Sequence, residues 1–349
     1  GGAVFAENEA LRYLADLAGM PAAAGGVFVS GGTAGNLSAL IAARWRWRQR
    51  AGGTFDRTRG LIISSKGAHS SIAQACRAMD TDEVQVTSDS EGRLHVENLR
   101  EAVATLAPED RERVFAVVAT CGTTNAGVID DLDAAADVAA ELGVWFHVDG
   151  AYGGAGLAAP SVRAHYHGIE RADSFGVDPH KWLFAPYDSA ALIYRDPRPA
   201  AATHAQHGAY LDAVNRGDWN PSDYAYHLSR RARGLPLWFG LATYGTQAYT
   251  DAVDGAIRTA ASFADEVSAR PQFQLLLPPE LSVVLFTRIG WSSEQYAEWS
   301  KRRAGEGRYL VVPTSWRGEP CLRICIVHPL TELGEIVGIL DDLVSYQPA

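Results

Sequence analysis

Apolar positions in the first two-thirds of the chain form short continuous runs, and these runs alternate with segments of helical periodicity. The predicted strands cover residues 61–65, 84–88, 114–122, 144–149, 172–177 and 189–195. Several of them are apolar throughout, which is typical of strands covered on both faces of a sheet. The predicted helices between them cover residues 71–79, 96–107 and 131–143. This alternation predicts an α/β fold with a mostly parallel sheet.

The pattern changes after Arg195. Residues 196–229 are polar and contain Pro, Gly, His and Tyr, and a loop of that length in a compact domain is usually functional or mobile. Residues 231–267 then show the periodicity of one or two long helices. We predict a large domain over 1–268, with a mobile loop at about 200–226, and a small C-terminal α+β domain over 269–349.

Composition narrows the class of protein. The chain has 349 residues, of which 21% are charged, and its net charge of −10 argues against nucleic acid or an anionic membrane as a partner. The basic cluster 44–50 continues a helical pattern and is interpreted as a solvated helix end. No apolar stretch has the length of a membrane span, and no secretory signal begins the sequence. The four cysteines lack zinc-type spacing, so we expect free thiols, no metal and a cytoplasmic protein.

Two residues carry the most specific chemistry. Asp149 ends the apolar run VWFHVD, and Lys181 follows the run ADSFGV within DPHKW. A lysine that forms a Schiff base and a carboxylate that pairs with a ring nitrogen are what pyridoxal 5'-phosphate (PLP) requires. Taken singly, each has an ordinary alternative, a surface lysine or a capping carboxylate. The chain has only three lysines, however, and Lys301 lies in a polar helical stretch, so the choice is narrow.

A phosphate site and a ring contact complete the requirements of this cofactor. The segment 27–44 is a short strand, a Gly-rich turn and an Ala/Leu helix, and the N–H groups at such a helix start suit a phosphate. Gly32 would allow close approach there, and Thr33 adds a hydroxyl. His69 follows the second predicted strand, at the sheet edge where α/β proteins bind ligands. An ordinary Gly-rich turn and a surface histidine remain the alternatives.

Taken together, six motifs identify a family resemblance. The motifs SGGTAGNL, GAHSS, GTTNAGVIDDL, WFHVDGAYGG, DSFGVDPHKWL and SRRARGLPLWFGLATYG resemble, in order and spacing, those of the PLP-dependent group II amino-acid decarboxylases. The resemblance covers nearly the whole chain and includes the aromatic-L-amino-acid decarboxylases. It implies the aspartate-aminotransferase-like fold (PLP fold type I) and a homodimer with shared active sites. It also implies a further segment before the helix that begins near Ala6, so we expect the sequence to be incomplete at its start.

The resemblance also implies roles for individual residues. Lys181 forms the Schiff base, Asp149 pairs with the ring nitrogen, and His69 stacks on the ring. Further positions that match contacts to the cofactor or its phosphate are Gly32, Thr33, Thr124, Ala151, Ser174 and His180.

Two more positions concern the substrate. Tyr210 matches the tyrosine of a mobile loop that reaches into the partner subunit and protonates the substrate Cα. Relatives with phenylalanine at that position tend to be aldehyde synthases, so Tyr210 favours simple decarboxylation. Arg230 falls where some relatives hold a substrate carboxylate.

The predicted function is decarboxylation of an L-amino acid to the corresponding amine and CO2. The loop residues Tyr210, Tyr224 and Tyr226 favour an aromatic substrate, although they could equally serve packing. The alternatives are a decarboxylase of an acidic or diamino acid and another fold-type-I enzyme, such as an aldehyde synthase, an aminotransferase or a lyase. A degenerate partner subunit without activity is the non-enzymatic alternative.

Overall fold

The structure is a computed structural model that describes residues 1–50, 52, 58–206 and 219–347. Its strands are β1 (Gly25–Val29), β2 (Leu61–Ser65), β3 (Asp82–Val86), β4 (Val114–Thr120), β5 (Trp145–Asp149), β6 (Ser174–Val177), β7 (Ala190–Tyr194), β8 (Phe273–Leu275), β9 (Val283–Arg288), β10 (Pro313–Trp316) and β11 (Glu319–Cys325).

The α-helices are α1 (Gly2–Leu17), α2 (Gly32–Arg50), α3 (Ser70–Met79), α4 (Val96–Thr105), α5 (Pro108–Arg113), α6 (Leu132–Leu142), α7 (Pro179–Trp182), α8 (Arg198–His204), α9 (Leu235–Ser268), α10 (Ser293–Gly305) and α11 (Leu333–Ser345). Short 3₁₀ turns occupy Gly153–Ala158, Pro160–Tyr166, Ile169–Arg171 and Pro221–Asp223.

The described strands form a seven-stranded sheet of order β1-β7-β6-β5-β4-β2-β3 and a four-stranded sheet of order β10-β11-β9-β8. In the larger sheet, β2 to β6 run parallel, whereas β7 is antiparallel to both β6 and β1. Strand β1 therefore runs in the same direction as β6. The carboxyl ends of β1, β2, β4, β5 and β6 consequently meet at one edge, which is where ligands bind in such sheets.

Buried side chains cover both faces of the larger sheet. In β4, Val117 belongs to a cluster with Phe146 and Phe175, and its neighbour Val118 belongs to a second cluster with Leu40 of α2. Successive strand residues point to opposite faces, so a strand that feeds two clusters must be apolar throughout. This explains why the predicted strands read as continuous apolar runs.

The predicted α/β fold with a mostly parallel sheet is confirmed, and most strand bounds differ from the prediction by one or two residues. Helix α6 begins after Asp131, whose carboxylate accepts the Ala134 N–H (3.1 Å), and ends at Gly143 with φ 66°. The predicted helix 96–107 is shorter, because α4 ends at Thr105 and a separate α5 begins at Pro108.

Among the described residues of the polar region after β7, the Ala-rich stretch Arg198–His204 forms α8 and Pro221–Asp223 forms a 3₁₀ turn, and the sequence predicted neither. The long helical region is one helix with a break at Gly245, where φ is 76° and ψ is 162°. Glycine lacks a Cβ and adopts this conformation at no steric cost, which explains why the helix breaks at a glycine. No helix among the described residues is long and apolar enough to cross a membrane.

Candidate active site

Most residues predicted to bind the cofactor lie just beyond the carboxyl edge of the larger sheet. Gly32 begins α2 after β1, His69 precedes α3 after β2, Thr124 follows β4, Asp149 ends β5, and Lys181 lies in α7 after β6. Register places Thr120 beside Asp149 and Asp149 beside Gly176, so these strand ends are level. Residues more than a hundred positions apart in sequence are therefore brought to one edge.

Asp149 is buried and already held in place by two donors. Its side chain belongs to a residue only 3% exposed, and its Oδ1 accepts the Ala151 N–H at 3.0 Å. Its Oδ2 accepts Nδ2 of Asn36 at 2.8 Å. A buried carboxylate needs such partners, because desolvation of an unpaired charge is costly. Asn36 was not singled out by the sequence analysis, where it is one polar residue in an Ala/Leu helix.

Lys181 lies against a second buried carboxylate, that of Asp178. The lysine Nζ is 3.1 Å from Asp178 Oδ2, and the Gly32 N–H donates to the same oxygen at 3.1 Å. Asp178 is 2% exposed, and its Oδ1 is buried and has no hydrogen-bond partner within the described part of the chain. The lysine side chain itself is 42% exposed and can reach out of the protein. Asp178 thus joins the helix start and the lysine, a role that its position in DPHKW did not reveal.

Aromatic stacking fixes the segment that carries the lysine. Trp182 is fully buried and stacks on Tyr152, with ring centroids 5.2 Å apart. The Tyr152 hydroxyl contacts Ser282 Oγ (2.5 Å) and accepts the Ser282 N–H (3.1 Å) next to β9. Burial raises the pKa of the Tyr152 hydroxyl well above its ordinary value, so it stays protonated. The lysine helix, the loop after Asp149 and the smaller sheet are therefore held together.

His180 is oriented from two sides. Its Nδ1 accepts the Ser189 N–H at 2.8 Å, so the proton of the neutral ring is on Nε2. Nε2 lies 3.5 Å from Asp178 Oδ2, and the Tyr187 ring lies 4.6 Å from the imidazole. The histidine thus faces the same carboxylate as Lys181.

The start of α2 is narrow at Gly32 and open beside it. A Cβ on Gly32 would come within 3.0 Å of the Ala151 Cβ and 3.2 Å of Asp178 Oδ2, whereas a Cβ on Gly31 would meet nothing within 4 Å. Ala151 therefore borders the helix start, and a larger residue at position 32 would crowd it. Thr33, in the first helical turn, and Thr124, in the loop after β4, are exposed.

His69 caps α3 and stays exposed. Its Nδ1 accepts the Ser71 N–H at 3.2 Å and lies 2.9 Å from Ser71 Oγ. Ser71 Oγ in turn accepts from Asn36 Nδ2 at 2.9 Å. The histidine is thereby connected through Ser71 and Asn36 to Asp149.

Two predicted site residues have other partners. Ser174 is fully buried, and its hydroxyl contacts Trp145 Nε1 and His147 Nδ1, both at 2.8 Å. Arg230 is paired with Glu7 of α1, with Nη1 2.9 Å from Oε1. Tyr210 lies outside the described residues.

The aromatic residues of the loop region divide into two groups. Tyr224 is 9% exposed and stacks on Trp219, with ring centroids 4.0 Å apart, so it is a packing residue. Tyr226 is 77% exposed. No group of His, Cys, Asp and Glu that could hold a metal occurs within the described part of the chain.

Comparison with known proteins identifies the family of this chain. The "Pyridoxal-dependent decarboxylase conserved domain" matches residues 3–289. The chain belongs to the pyridoxal-dependent decarboxylase family. It is 29% identical to an aromatic-L-amino-acid decarboxylase of Bacillus atrophaeus, over 97% of this chain and 72% of that protein. It is 35% identical to an L-2,4-diaminobutyrate decarboxylase of Rhizobium meliloti, over 97% of this chain and 69% of the relative.

Solved structures agree with the fold of this decarboxylase. Oryza sativa TDC with PLP and tryptamine superposes with a TM-score of 0.90 at 27% identity, over 98% of this chain and 75% of that one. Mouse CSAD superposes with a TM-score of 0.86 at 29% identity, over 98% and 75%. The predicted PLP fold type I is therefore confirmed. The chain is a PLP-dependent amino-acid decarboxylase.

The residues of this decarboxylase fit PLP. A reachable amine, a buried carboxylate with fixed orientation and the start of the 19-residue helix α2 lie at one sheet edge. The helix start needs glycine, because a Cβ at position 32 would crowd Ala151 and Asp178. Asp178 Oδ1, beside this helix start, has no hydrogen-bond partner among the described residues.

Proposed function

We propose that this decarboxylase converts an aromatic L-amino acid into the corresponding amine and CO2. The observation that carries the proposal is the grouping of Lys181, Asp178 and Asp149 at one sheet edge in a chain of this family. Bound PLP supplies an electron sink for the electrons left when CO2 departs. The remaining task of the protein is to bind, orient and move protons.

Lys181 is the proposed covalent anchor, and Asp149 the proposed partner of the ring nitrogen. The side chain of Lys181 is held by Asp178 at its Nζ, which gives the amine a resting position with a counter-charge. Asp149 is fixed by Asn36 and Ala151, so its carboxylate is oriented before any ligand arrives. Orientation before binding lowers the entropic cost of forming the complex.

The other proposed contacts follow from position. Gly32 and Thr33 at the start of α2, with His180, are the proposed contacts of the phosphate. The Gly32 N–H, which donates to Asp178 Oδ2 here, would then exchange that partner. His69 covers the ring face, with Thr124 and Ala151 near the ring. Ser174 supports His147 from within the protein and is proposed to act only indirectly.

We assign proton delivery to the substrate Cα to Tyr210, by resemblance. A positioned phenol is a suitable general acid, and closure of the loop around it would exclude water.

The proposal for the substrate side chain is supported by the relatives of this protein. Support for an aromatic substrate comes from the Bacillus atrophaeus relative and from the similarity to the tryptamine-bound structure. A diamino acid is the second candidate, because the Rhizobium meliloti diaminobutyrate decarboxylase is 35% identical. A phenylacetaldehyde synthase of Arabidopsis thaliana is 29% identical over 92% of this chain, which keeps aldehyde formation as a third outcome.

We also propose that the enzyme is a homodimer. Phe5 of α1 is 63% exposed, and Phe239 and Tyr244 of α9 are 59% and 73% exposed. The first half of α9 is largely exposed, although its second half is core. Exposed aromatic side chains are enriched in interaction surfaces, and a second copy is the commonest partner of such a surface.

The division into two domains is likewise a proposal. The larger sheet and α9 would form the domain over 1–268, and the smaller sheet with α10 and α11 the domain over 269–349. The support is that the smaller sheet pairs only its own strands among the described residues.

A substrate panel tests the proposed function. Purified protein with added PLP is given phenylalanine, tyrosine, tryptophan, histidine, 2,4-diaminobutyrate and glutamate, and CO2, amine, aldehyde and ammonia are measured. We expect CO2 and amine in equal amounts from an aromatic amino acid. Release from 2,4-diaminobutyrate alone would refute the aromatic assignment, and keto acid without CO2 would refute decarboxylation.

The anchor is tested by reduction with borohydride and peptide mass mapping. We expect the cofactor mass on the peptide that contains Lys181, and no attachment in Lys181→Ala. Lys301→Ala is the matched control, because Lys301 is exposed on α10 and should leave attachment and turnover unchanged. Attachment at Lys66 or Lys301 would refute the assignment.

A further inference from the structure

Asn36 lies at the centre of a buried hydrogen-bond network. The residue is 2% exposed on α2, one turn after Gly32. Its Nδ2 donates to Asp149 Oδ2 (2.8 Å) and to Ser71 Oγ (2.9 Å), and its Oδ1 lies 2.9 Å from His147 Nε2. Both amide protons and the carbonyl oxygen therefore have partners. The reverse amide orientation would place an oxygen against the carboxylate, so the chemistry fixes this one.

On the interior side of Asn36, the donor and the acceptor of each hydrogen bond are determined. Because the Asn36 oxygen can only accept, His147 must carry its proton on Nε2. The Nδ1 of a neutral ring then accepts the Ser174 hydroxyl (2.8 Å), whose oxygen accepts the Trp145 N–H. Burial lowers the pKa of His147 to about 4, so the ring stays neutral at neutral pH.

On the side toward the surface, the donors and acceptors are determined as well. Ser71 Oγ accepts from Asn36, which leaves its hydroxyl proton for Nδ1 of His69 at 2.9 Å. The Ser71 N–H points to the same nitrogen. His69 therefore presents a protonated Nε2 outward when it is neutral. One buried amide thus connects the residue proposed for the ring nitrogen with the residue proposed for the ring face.

We propose that Asn36 is a positioning residue that orients Asp149 directly and His69 through Ser71, so that both sides of the cofactor ring depend on one amide. This inference rests on the proposed roles of Asp149 and His69. His147, Ser174 and Trp145 fix the Asn36 orientation from behind. The Asn36 amide therefore fixes the orientation of the Asp149 carboxylate relative to the His69 imidazole without contacting the cofactor ring.

Affinity for PLP and histidine tautomers test this without measuring turnover. Asn36→Leu keeps similar volume but leaves Asp149 with one donor. We expect the PLP dissociation constant of the apoenzyme to rise about 10- to 100-fold, the range for losing a hydrogen bond to a buried charge. Asn98→Leu, which removes a contact to the Thr87 carbonyl far from this network in the sequence, is the matched control and should leave affinity unchanged. A folded Asn36→Leu protein that binds PLP as the wild type does would overturn the inference.

An exchange variant separates positioning from folding. Asn36→Asp combined with Asp149→Asn keeps a donor facing an acceptor between these two residues but moves the carboxylate away from the end of β5, and the Ser71 hydroxyl then donates to position 36 instead of to His69. We expect a folded protein by circular dichroism, with thermal unfolding close to wild type and PLP affinity at least about 10-fold weaker. If the exchange variant bound PLP with wild-type affinity, Asn36 would be a structural residue only.

Nitrogen NMR of the wild-type apoenzyme tests the hydrogen-bond network even if the variants misfold. With ¹⁵N-labelled histidine, we expect His147 as the neutral Nε2–H tautomer at pH 7.5. For the neutral form of His69 we expect the same Nε2–H tautomer. In Ser71→Ala, which removes the hydroxyl but keeps the backbone N–H to Nδ1, the preference of His69 for the Nε2–H tautomer should weaken while that of His147 is unchanged. A proton on Nδ1 of His147 in the wild type would refute the network. Failure of the amino-acid panel alone would refute the proposed function and leave these measurements standing.

Discussion

The ion pair between Glu7 and Arg230 allows a quantitative prediction about a residue that sequence reasoning assigned to the substrate. The two side chains are 3% and 11% exposed, and the Gly234 N–H also donates to Glu7 Oε1 at 2.9 Å. The pair joins α1 to the segment before α9. Removing one partner of a buried ion pair costs about 3–5 kcal/mol, because the other charge stays buried without compensation. We therefore expect Arg230→Met to lower the free energy of unfolding by that amount.

The double variant separates a structural pair from a substrate contact. Glu7→Gln keeps an acceptor for Gly234 but leaves Arg230 charged and unpaired, so it should also destabilise. In Arg230→Met with Glu7→Gln, no charge remains, and the loss should be smaller than the sum by about 1–3 kcal/mol. Denaturant unfolding of the four proteins gives this coupling energy. KM for the amino acid should stay within about twofold of wild type in the folded variants, because a structural pair makes no contact with the substrate.

Arg231→Met is the matched control for this cycle. Arg231 is 69% exposed in its side chain, and Asp188 keeps Arg233 as a partner in this variant. Loss of an exposed charge that leaves its partner paired should cost only about 0–1 kcal/mol. If Arg230→Met and the double variant both raised KM tenfold or more with little change in stability, Arg230 would hold the substrate carboxylate as the resemblance implied. That result would refute the structural reading of the pair.

Three further predictions concern the loop, a buried acid and the contact between the sheets. Tyr210→Phe should shift products from amine toward aldehyde and ammonia, and an unchanged amine yield would exclude Tyr210 as the proton donor. Burial raises the pKa of the Asp130 carboxyl from 3.8 to about 7, so its ionisation destabilises the folded state as pH rises through that window. Relative to wild type, Asp130→Asn should gain up to about 4 kcal/mol between pH 4 and 8 in urea unfolding, and a difference independent of pH would contradict the assignment. Tyr152→Phe leaves the Ser282 N–H unpaired and should cost about 1–3 kcal/mol, measured as a lower Tm with the Tyr152–Trp182 stacking retained.

The candidate site shows which residues the sequence alone can single out. Lys181 and Asp149 could be chosen because lysine is scarce in this chain and because each residue follows an apolar strand. The start of α2 was predicted from a strand, a glycine pair and an Ala/Leu helix in succession. These signals are local, since strand ends and helix starts are written in consecutive residues.

The same site shows where sequence falls short. Asn36 is separated from Asp149 by 113 residues, and Gly32 from Asp178 by 146, so neither contact leaves a local pattern. Ser174 and His147 lie on adjacent strands, and only the register of β5 and β6 brings their side chains together. A resemblance transfers the residue types of a site but not which of them face inward.

The sequence by itself determined the order of strands and helices, the mostly parallel sheet and the cofactor. Periodicity, caps and turn residues act between neighbours, and the residues proposed to anchor PLP stand in short continuous motifs. The tertiary structure decided which partners the polar side chains have, that Arg230 is paired with Glu7, and that Asn36 joins Asp149 to His69. The reason is physical: burial makes an unpaired polar group costly, and only the packed chain shows which distant group satisfies it.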